Sequence, residues 1–210
     1  DGTTKVGFIE HREGSSVDSL GTFPQNTWVT RELTHKNDPT SMITFPVPSD
    51  GASDKTQWSL EKGNYRIKWS APAFRCDRNQ TKLVYATNSS FTSPTSVDGS
   101  SEFASDDELV QTRSFGETVL TLVEKTWFKI QQIVDDPGGN SSKGINTAKL
   151  FSGVTDPPTW SVYTQVSIED LETAVKKEPT YSEANSRVAI VYDSKSQNTR
   201  GGTATAGAWN

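Results

Sequence analysis

The stretch GNYRIKWSAPAF at residues 63–74 decides the fold class of this chain. Tyr65, Ile67 and Trp69 alternate with polar side chains, which is the period-two pattern of a strand with one buried face and one solvent-exposed face. Pro72 lacks an amide hydrogen and therefore suits the end or the edge of a strand. The stretch predicts a β-strand that covers one side of a hydrophobic core.

Further short strands are predicted on both sides of this one. Clusters of Ser, Thr, Asn, Asp and Gly separate them, and these residue types favour turns. The predicted strands cover residues 6–9, 28–30, 42–45, 82–85, 119–123, 127–133, 162–168 and 188–192. Residues 119–123 are expected to be covered on both faces, and Val162 is expected to share a face with Thr164 and Val166. The pattern predicts an all-β domain with a jelly-roll β-sandwich.

One helical signal follows the strand at 162–168. Residues 169–177 carry acidic side chains early and lysines late, the polarity that a helix dipole favours. They are predicted to form a short helix or a linker, which Pro179 would end.

The end of the chain resembles its beginning. A Gly-Thr pair precedes Trp28 and Trp209 by the same spacing, and an apolar strand lies upstream of each. This similarity predicts a jelly-roll domain over residues 1–178, followed at 179–210 by a linker and the first strands of a second copy. Chance similarity between two polar stretches is the alternative.

Composition limits the classes of partner. Apolar residues make up 32% of the chain and aromatic residues 10%, which suits a thin sandwich better than a disordered segment. A net charge of -5 with both signs interspersed gives no attraction to a nucleic acid backbone. Cys76 is the only cysteine, which suits assembly in a reducing compartment. The apolar stretches are too short for a membrane helix, so no membrane insertion is expected.

No catalytic constellation is visible in the sequence. His11 and His35 stand outside the known histidine motifs, and Ser15 near His11 does not lie in a nucleophile elbow. Acidic residues cluster in Ser-rich stretches, which favours solvated turns over a facing carboxylate pair. We therefore expect no enzyme, no cofactor and no metal. Oxygen ligands for calcium at residues 135–142 are the alternative left open.

A series of motifs spans residues 28–116 and carries a resemblance to a known type of domain. In order they are W-x-T-R-x-L (28–33), G-x-Y-R-I-x-x-S-A-P-A (63–73), Q-T-x-L (80–83), G-S-S-E (99–102) and T-R-S-F (112–115). This order resembles a domain of bacteriophage tail fibres and other virion proteins. The resemblance implies a jelly roll similar to tumour necrosis factor that forms homotrimers. Related proteins often carry His where this chain has Asn79 and Gln132, so any role of those histidines is in doubt here.

The resemblance leads to a functional hypothesis. The chain is predicted to be a non-enzymatic phage virion structural protein, such as a head fibre, a capsid decoration or a tail fibre module. Its expected partners are two copies of itself, other virion proteins and a host-surface glycan. The alternative is a carbohydrate-binding module for receptor recognition.

Four side chains are predicted to lie at the trimer interface or to contact a ligand. They are Arg31, Arg75, Arg113 and Trp160. The arginines stand near acidic residues and would form ion pairs between subunits, with solvated or intrasubunit arginines as the alternative. Most of the six tryptophans are expected in the core and the trimer seam. Trp160, predicted in a loop, is the one expected to be exposed.

Overall fold

The computed structural model describes residues 4–14, 23–45, 55–103, 110–135 and 159–171. Within these residues, eleven β-strands form two antiparallel sheets, which confirms the predicted all-β fold. The first sheet has the order β3 (His35–Asn37), β1 (Lys5–Gly14), β11 (Trp160–Asp170), β6 (Gly63–Phe74) and β9 (Gln111–Leu122). The second sheet has the order β4 (Ile43–Thr44), β5 (Trp58–Leu60), β10 (Thr126–Asp135), β7 (Arg78–Ala86) and β8 (Thr95–Phe103), and β2 (Val29–Thr30) also pairs with β10.

The connections between the two sheets make the fold a jelly roll. From β5 onward the chain crosses to the opposite sheet at every connection except the one between β7 and β8, which pair with each other. The first strand and the last described strand, β1 and β11, are neighbours in the first sheet. This order of strands confirms the predicted jelly-roll β-sandwich.

The core lies between the two sheets. β6 supplies Tyr65, Ile67 and Trp69 to it, as their alternation predicts. From the second sheet, the Trp58 ring stacks on Phe128 with the ring centres 5.6 Å apart. The other fully buried members are Ile9, Leu33, Ile43, Leu60, Leu83, Ile130, Val166 and Ile168. Large apolar side chains from both layers thus exclude water from the interior.

The register between β6 and β9 depends on a residue without a side chain. Trp69 pairs with Gly116, and the indole ring lies across the glycine. A Cβ atom at position 116 would overlap that ring, so no other residue type fits there without movement. The indole Nε1 then donates a hydrogen bond to Thr81 Oγ1 on β7 at 3.0 Å, which ties the two sheets together.

Two sequence predictions are wrong. Residues 119–123 are not covered on both faces, because Val119 lies on the outer face of the first sheet, and Val123, just beyond β9, is also exposed. The strand that begins at Trp160 also continues through Asp170, so residues 169–170 are strand where a helix or linker was predicted. Pairing explains this extension, since Glu169 and Asp170 face partners on both β1 and β6.

Contacts divide the chain into two units, Asp1–Lys177 and Glu178–Asn210. All described residues lie in the first unit. The second copy predicted at 179–210 lies outside the described residues and stays a prediction. In the described part of the chain, no helix has the length and apolar character needed to span a membrane.

Candidate functional site

The outer face of the first sheet carries most of the large exposed apolar side chains. Phe8 lies on β1, Val162 and Trp160 on β11, and Phe115 and Val119 on β9. Phe8, Phe115 and Val119 point away from the core because β1 and β9 alternate there, and Phe115, which is 55% exposed, follows the fully buried Ser114. Val162 and Trp160 on β11 also point outward. We call these five residues and the surface between them the assembly face. Exposed apolar groups on one face mark an interaction surface more often than scattered ones do.

A shallow groove crosses the assembly face. Phe8 and Phe115 stand at its two sides, and Lys68, Ser70 and Gln165 are among the residues that line it. Its volume is about 250 Å³. The groove therefore places apolar walls on either side of a polar floor.

Charged side chains in the middle of the assembly face neutralise each other. Arg66 forms ion pairs with Glu169 at 2.9 Å and with Glu117 at 3.4 Å, and Lys68 also pairs with Glu117 at 3.7 Å. Two basic and two acidic groups thus compensate each other within one subunit. Such surface pairs add little stability, but they leave no net charge that would repel a second copy.

A β-bulge in β11 brings two polar side chains into the interior. The register between β1 and β11 shifts between Glu10 and Arg12, where two residues of β11 lie opposite one residue of β1. As a result Tyr163 and Thr164 are both buried, while Val162 points outward. The predicted alternation, with Val162 and Thr164 on one face, is therefore wrong at this point.

The buried pair contacts His11 and Arg31. The Tyr163 ring lies 5.3 Å from the His11 ring, and Thr164 Oγ1 accepts a hydrogen bond from Arg31 Nε at 3.0 Å. Burial lowers the pKa of His11, so the imidazole is neutral at pH 7. Sequence reasoning missed Tyr163 and Thr164, because a bulge is set by the partner strand and not by local alternation.

Arg31 is a buried cation. Its side chain is only 1% exposed, and neither terminal guanidinium nitrogen has a hydrogen-bond partner. Burial, followed by the nearby Arg113, lowers the pKa of Arg31 to about 9, so the group keeps its charge at pH 7. The face of the Phe23 ring lies 5.4 Å from the guanidinium carbon and offsets part of that cost.

Arg113 approaches the same cluster from β9. It donates hydrogen bonds to Ser70 Oγ at 3.1 Å and to the Tyr163 carbonyl oxygen. Burial lowers its pKa as well. The structure thus brings Arg31 and Arg113 together on the two bulge residues.

The other two predicted contact residues lie elsewhere. Arg75 follows β6 with a φ of 54°, and its amide donates to Val110 O at 2.9 Å. Trp160 is the first residue of β11, where a loop was predicted, and it is half-exposed as expected, with its ring 5.4 Å from His35. Because Arg31 is buried within its own subunit, it is not presented at a subunit surface. A contact role for Arg75, Arg113 and Trp160 stays a prediction.

Asn79 and Gln132 meet in the second sheet. Gln132 Nε2 donates to Asn79 Oδ1 at 3.0 Å, and Asn79 Nδ2 donates to Thr112 Oγ1 at 3.0 Å. Both amides are buried. In this chain, the pair is a hydrogen-bonded link between β7, β10 and β9.

The tryptophans divide between the core and the surface. Trp58 and Trp69 are buried, whereas Trp28 and Trp127 are half-buried and lie near lysines. Trp160 belongs to the assembly face, and Trp209 lies outside the described residues.

A second concave region lies at the end of β7, β8 and β10. Its volume is about 380 Å³, and we call it the polar pocket. Phe103, which is 67% exposed, stands at its side. Arg78 forms an ion pair with Asp135 at 3.8 Å, and Glu102 also lines the pocket. Of the residues considered for calcium at 135–142, only Asp135 is described.

The described residues define an all-β jelly-roll domain with one partly apolar outer face. No family model matches the chain, and no curated protein matches it. Among solved structures, the chain is similar to the globular domain of zebrafish complement 1qA protein, with 13% identity over 80% of this chain and 98% of that one and a TM-score of 0.45.

Two further solved structures are similar at the same coverage of this chain, 80%. Murine APRIL at pH 5.0 has 6% identity over 100% of its own chain and a TM-score of 0.45. Eiger TNF from S. frugiperda has 8% identity over 92% of its chain and a TM-score of 0.40. None of the three comes from a bacteriophage. Since the scores lie below 0.5, the jelly-roll assignment rests on the strand order described above.

Replacing Arg31 with Met is expected to leave the free energy of unfolding unchanged or to raise it. Methionine fills similar space and removes a buried charge whose terminal nitrogens have no partners. Replacing Arg31 with Ala is expected to lower the free energy of unfolding by about 2 kcal/mol, because it opens a cavity. Urea denaturation of both variants provides the measurement. Equal losses in the two variants would show that the charge itself stabilises the fold.

Proposed function

We propose that this chain is a non-enzymatic structural module of a bacteriophage particle that assembles with two further copies of itself through the assembly face. The observation that carries the proposal is the distribution of exposed apolar side chains on the first sheet. One apolar group, Phe8, Val162 and Trp160, lies on β1 and the central strand β11, and the other, Phe115 and Val119, lies on the edge strand β9. The charge-compensated pairs of β6 lie between the two groups.

The two apolar groups are compatible with a closed ring. A twofold contact uses the same patch on both subunits, so that residue i of one copy touches residue j of the other and the reverse. A head-to-tail contact instead joins the group on β9 of one subunit to the group on β1 and β11 of the next, and if it closes on itself it makes a cyclic oligomer that buries both groups in every subunit. Three is the number of subunits that the motif resemblance implies. Trimer formation would also multiply any weak binding site by three and raise avidity without new contacts.

The location in a virion rests on a different observation. The motif order over residues 28–116 resembles domains of phage fibres and other virion proteins. The fold and the solved structures similar to it add nothing to this point. A head fibre, a capsid decoration and a tail fibre module are all compatible with a self-assembling sandwich.

Both histidines are hydrogen-bonded to side chains of the first sheet and of the segment before β3. His11 Nε2 contacts Glu13 Oε1 at 3.2 Å, and His35 Nδ1 contacts Thr34 Oγ1 at 3.0 Å. The Thr34 hydroxyl is held by the backbone of Arg12, to which it donates at 3.0 Å. Among the described residues, neither imidazole is hydrogen-bonded to a serine hydroxyl.

Carbohydrate binding is the second candidate function, and the polar pocket favours it. Its volume lies within the range of small-molecule sites. The exposed Phe103 ring offers a flat apolar surface to the face of a sugar ring. Arg78, Glu102 and Asp135 would bind hydroxyl groups at its edge. This combination would suit a host-surface glycan.

The full chain is expected to have a solution mass three times its chain mass of 23.0 kDa in light scattering after size exclusion. Phe115→Glu is expected to give monomers, because it places a charge in the apolar group on β9. Phe103→Glu is the matched control, since Phe103 is even more exposed than Phe115 but lies in the polar pocket. A monomeric wild-type chain would contradict the trimer, and dissociation by Phe103→Glu alone would contradict the assembly face.

Labelled antibody raised against the chain is expected to bind intact particles of the phage that encodes it. Electron microscopy of the label would distinguish head, collar and tail positions. Detection of the chain only in infected-cell lysate, and never on purified particles, would contradict the virion role while leaving trimer formation intact.

Glycan binding is expected to depend on Phe103. On a glycan array, the Phe103→Ala variant should bind about tenfold more weakly than wild type, which equals about 1.4 kcal/mol for the loss of ring stacking. Arg78→Ala should weaken binding further, and Asp98→Ala on the exposed part of β8 is the control. Unchanged binding by Phe103→Ala would exclude the polar pocket as the site.

A further inference from the structure

Three side chains with metal-ligating atoms meet near the end of β1. They are His11, Glu13 and Glu32, and one ligand atom from each lies within 4.8 Å of the others. His11 Nε2 is 3.2 Å from Glu13 Oε1 and 4.0 Å from Glu32 Oε2. His11 is buried, Glu13 is half-buried and Glu32 is exposed, so the cluster has a fixed base and an open side.

The backbone holds these three residues in place. His11 and Glu13 are two residues apart on β1 and therefore point to the same side of the strand. Glu32 lies in the segment between β2 and β3, which is attached to β1 through Thr34. The Thr34 amide donates to Glu10 O at 2.8 Å, and its hydroxyl accepts from the Arg12 amide at 2.8 Å. The His11 ring itself packs against Tyr163.

Within the described ranges, neither carboxylate forms a direct ion pair with an arginine or a lysine. Among the described residues, the ion contacts of Glu13 and Glu32 are with His11 alone. Arg12 is paired with Glu10, and the terminal nitrogens of Arg31 form no hydrogen bond to either carboxylate. The charge of Arg31 acts on Glu32 without a hydrogen bond between them, and a cation bound between the two carboxylates would reduce their mutual repulsion further.

The distances suit a small divalent ion. Ligand atoms around a tetrahedral ion with bonds of about 2.0–2.2 Å lie roughly 3.3–3.6 Å apart. The separation between His11 and Glu13 is already close to this value, and Glu32 would need to move by less than about 1 Å toward Nε2. Its side chain is exposed and therefore free to do so.

We propose that His11, Glu13 and Glu32 bind one zinc-class divalent transition-metal ion, with water completing the coordination on the open side. One imidazole nitrogen and two carboxylate oxygens suit Zn²⁺ and its neighbours, whereas Ca²⁺ prefers a full set of oxygen ligands. The bound ion would link β1 to the segment that precedes β3 and would stabilise this end of the sandwich. The site lies within one subunit, so it goes beyond the proposed assembly function and does not depend on it.

The test uses the full chain after treatment with EDTA and transfer to metal-free buffer. Titration with Zn²⁺ by calorimetry is expected to give one ion per chain, and Co²⁺ is expected to give the visible absorption bands of a tetrahedral site. Glu32→Gln and His11→Gln should each weaken Zn²⁺ binding by about tenfold or more. Zn²⁺ should also raise the thermal midpoint of the wild type and have little effect on either variant.

Matched controls separate this site from other zinc ligands. His35→Gln removes the other histidine, Glu61→Gln removes an exposed carboxylate, and Cys76→Ser removes the only thiol. All three controls should bind Zn²⁺ as the wild type does. If His11→Gln fails to fold, the Zn²⁺ affinity of Glu32→Gln tests the proposal. Glu32 lies at the exposed side of the cluster, so this variant is expected to fold. Absence of stoichiometric binding, or equal binding by wild type and Glu32→Gln, would overturn the proposal.

Discussion

Strand β6 forms hydrogen-bonded ladders along both of its edges, with β11 on one side and β9 on the other, and the rest of the sandwich depends on these two pairings. They fix the direction of every side chain on the strand. Tyr65, Ile67 and Trp69 are thereby turned into the core, while Arg66 and Lys68 are turned to the outer face. The same constraint that builds the interior also places the ion pairs in the middle of the assembly face.

The β-bulge on β11 shows how a small irregularity produces a specific interior. One additional residue turns both Tyr163 and Thr164 inward, and these two residues then contact His11 and Arg31. Arg113 reaches the same place from β9. A buried cation without partners for its terminal nitrogens is costly, and such groups are retained in some proteins for specificity more than for stability.

Regular alternation could be predicted from the sequence, and departures from it could not. The buried face of β6 follows directly from apolar side chains at every second position, and so does the inward position of Phe128 and Ile130 on β10. The bulge could not be predicted, because it depends on a mismatch in length with β1, a strand about 150 residues earlier in the chain. Residues 119–123 show the same limit: an apolar run indicates hydrophobicity, but whether a second layer covers both of its faces depends on what packs on the sheet to which β9 belongs.

The candidate sites were predictable only in part for a related reason. Arg31 and Arg113 were recognised in the motifs, but the sequence could not show that one guanidinium is buried and that both meet at Tyr163 and Thr164. Phe8 and Phe115 belong to different strands, and only the sheet order places them on a common surface. Contact between residues far apart in sequence is set by topology, which local patterns do not contain.

The pairing of β1 with β11 also places the two ends of the described sandwich side by side. Lys5 lies directly opposite Asp170, and the two side chains form an ion pair at 3.7 Å. Polypeptide leading into the sandwich and polypeptide leading out of it therefore pass through the same corner. A domain whose two ends lie side by side can be inserted into a loop of another protein without separating the two ends of that loop.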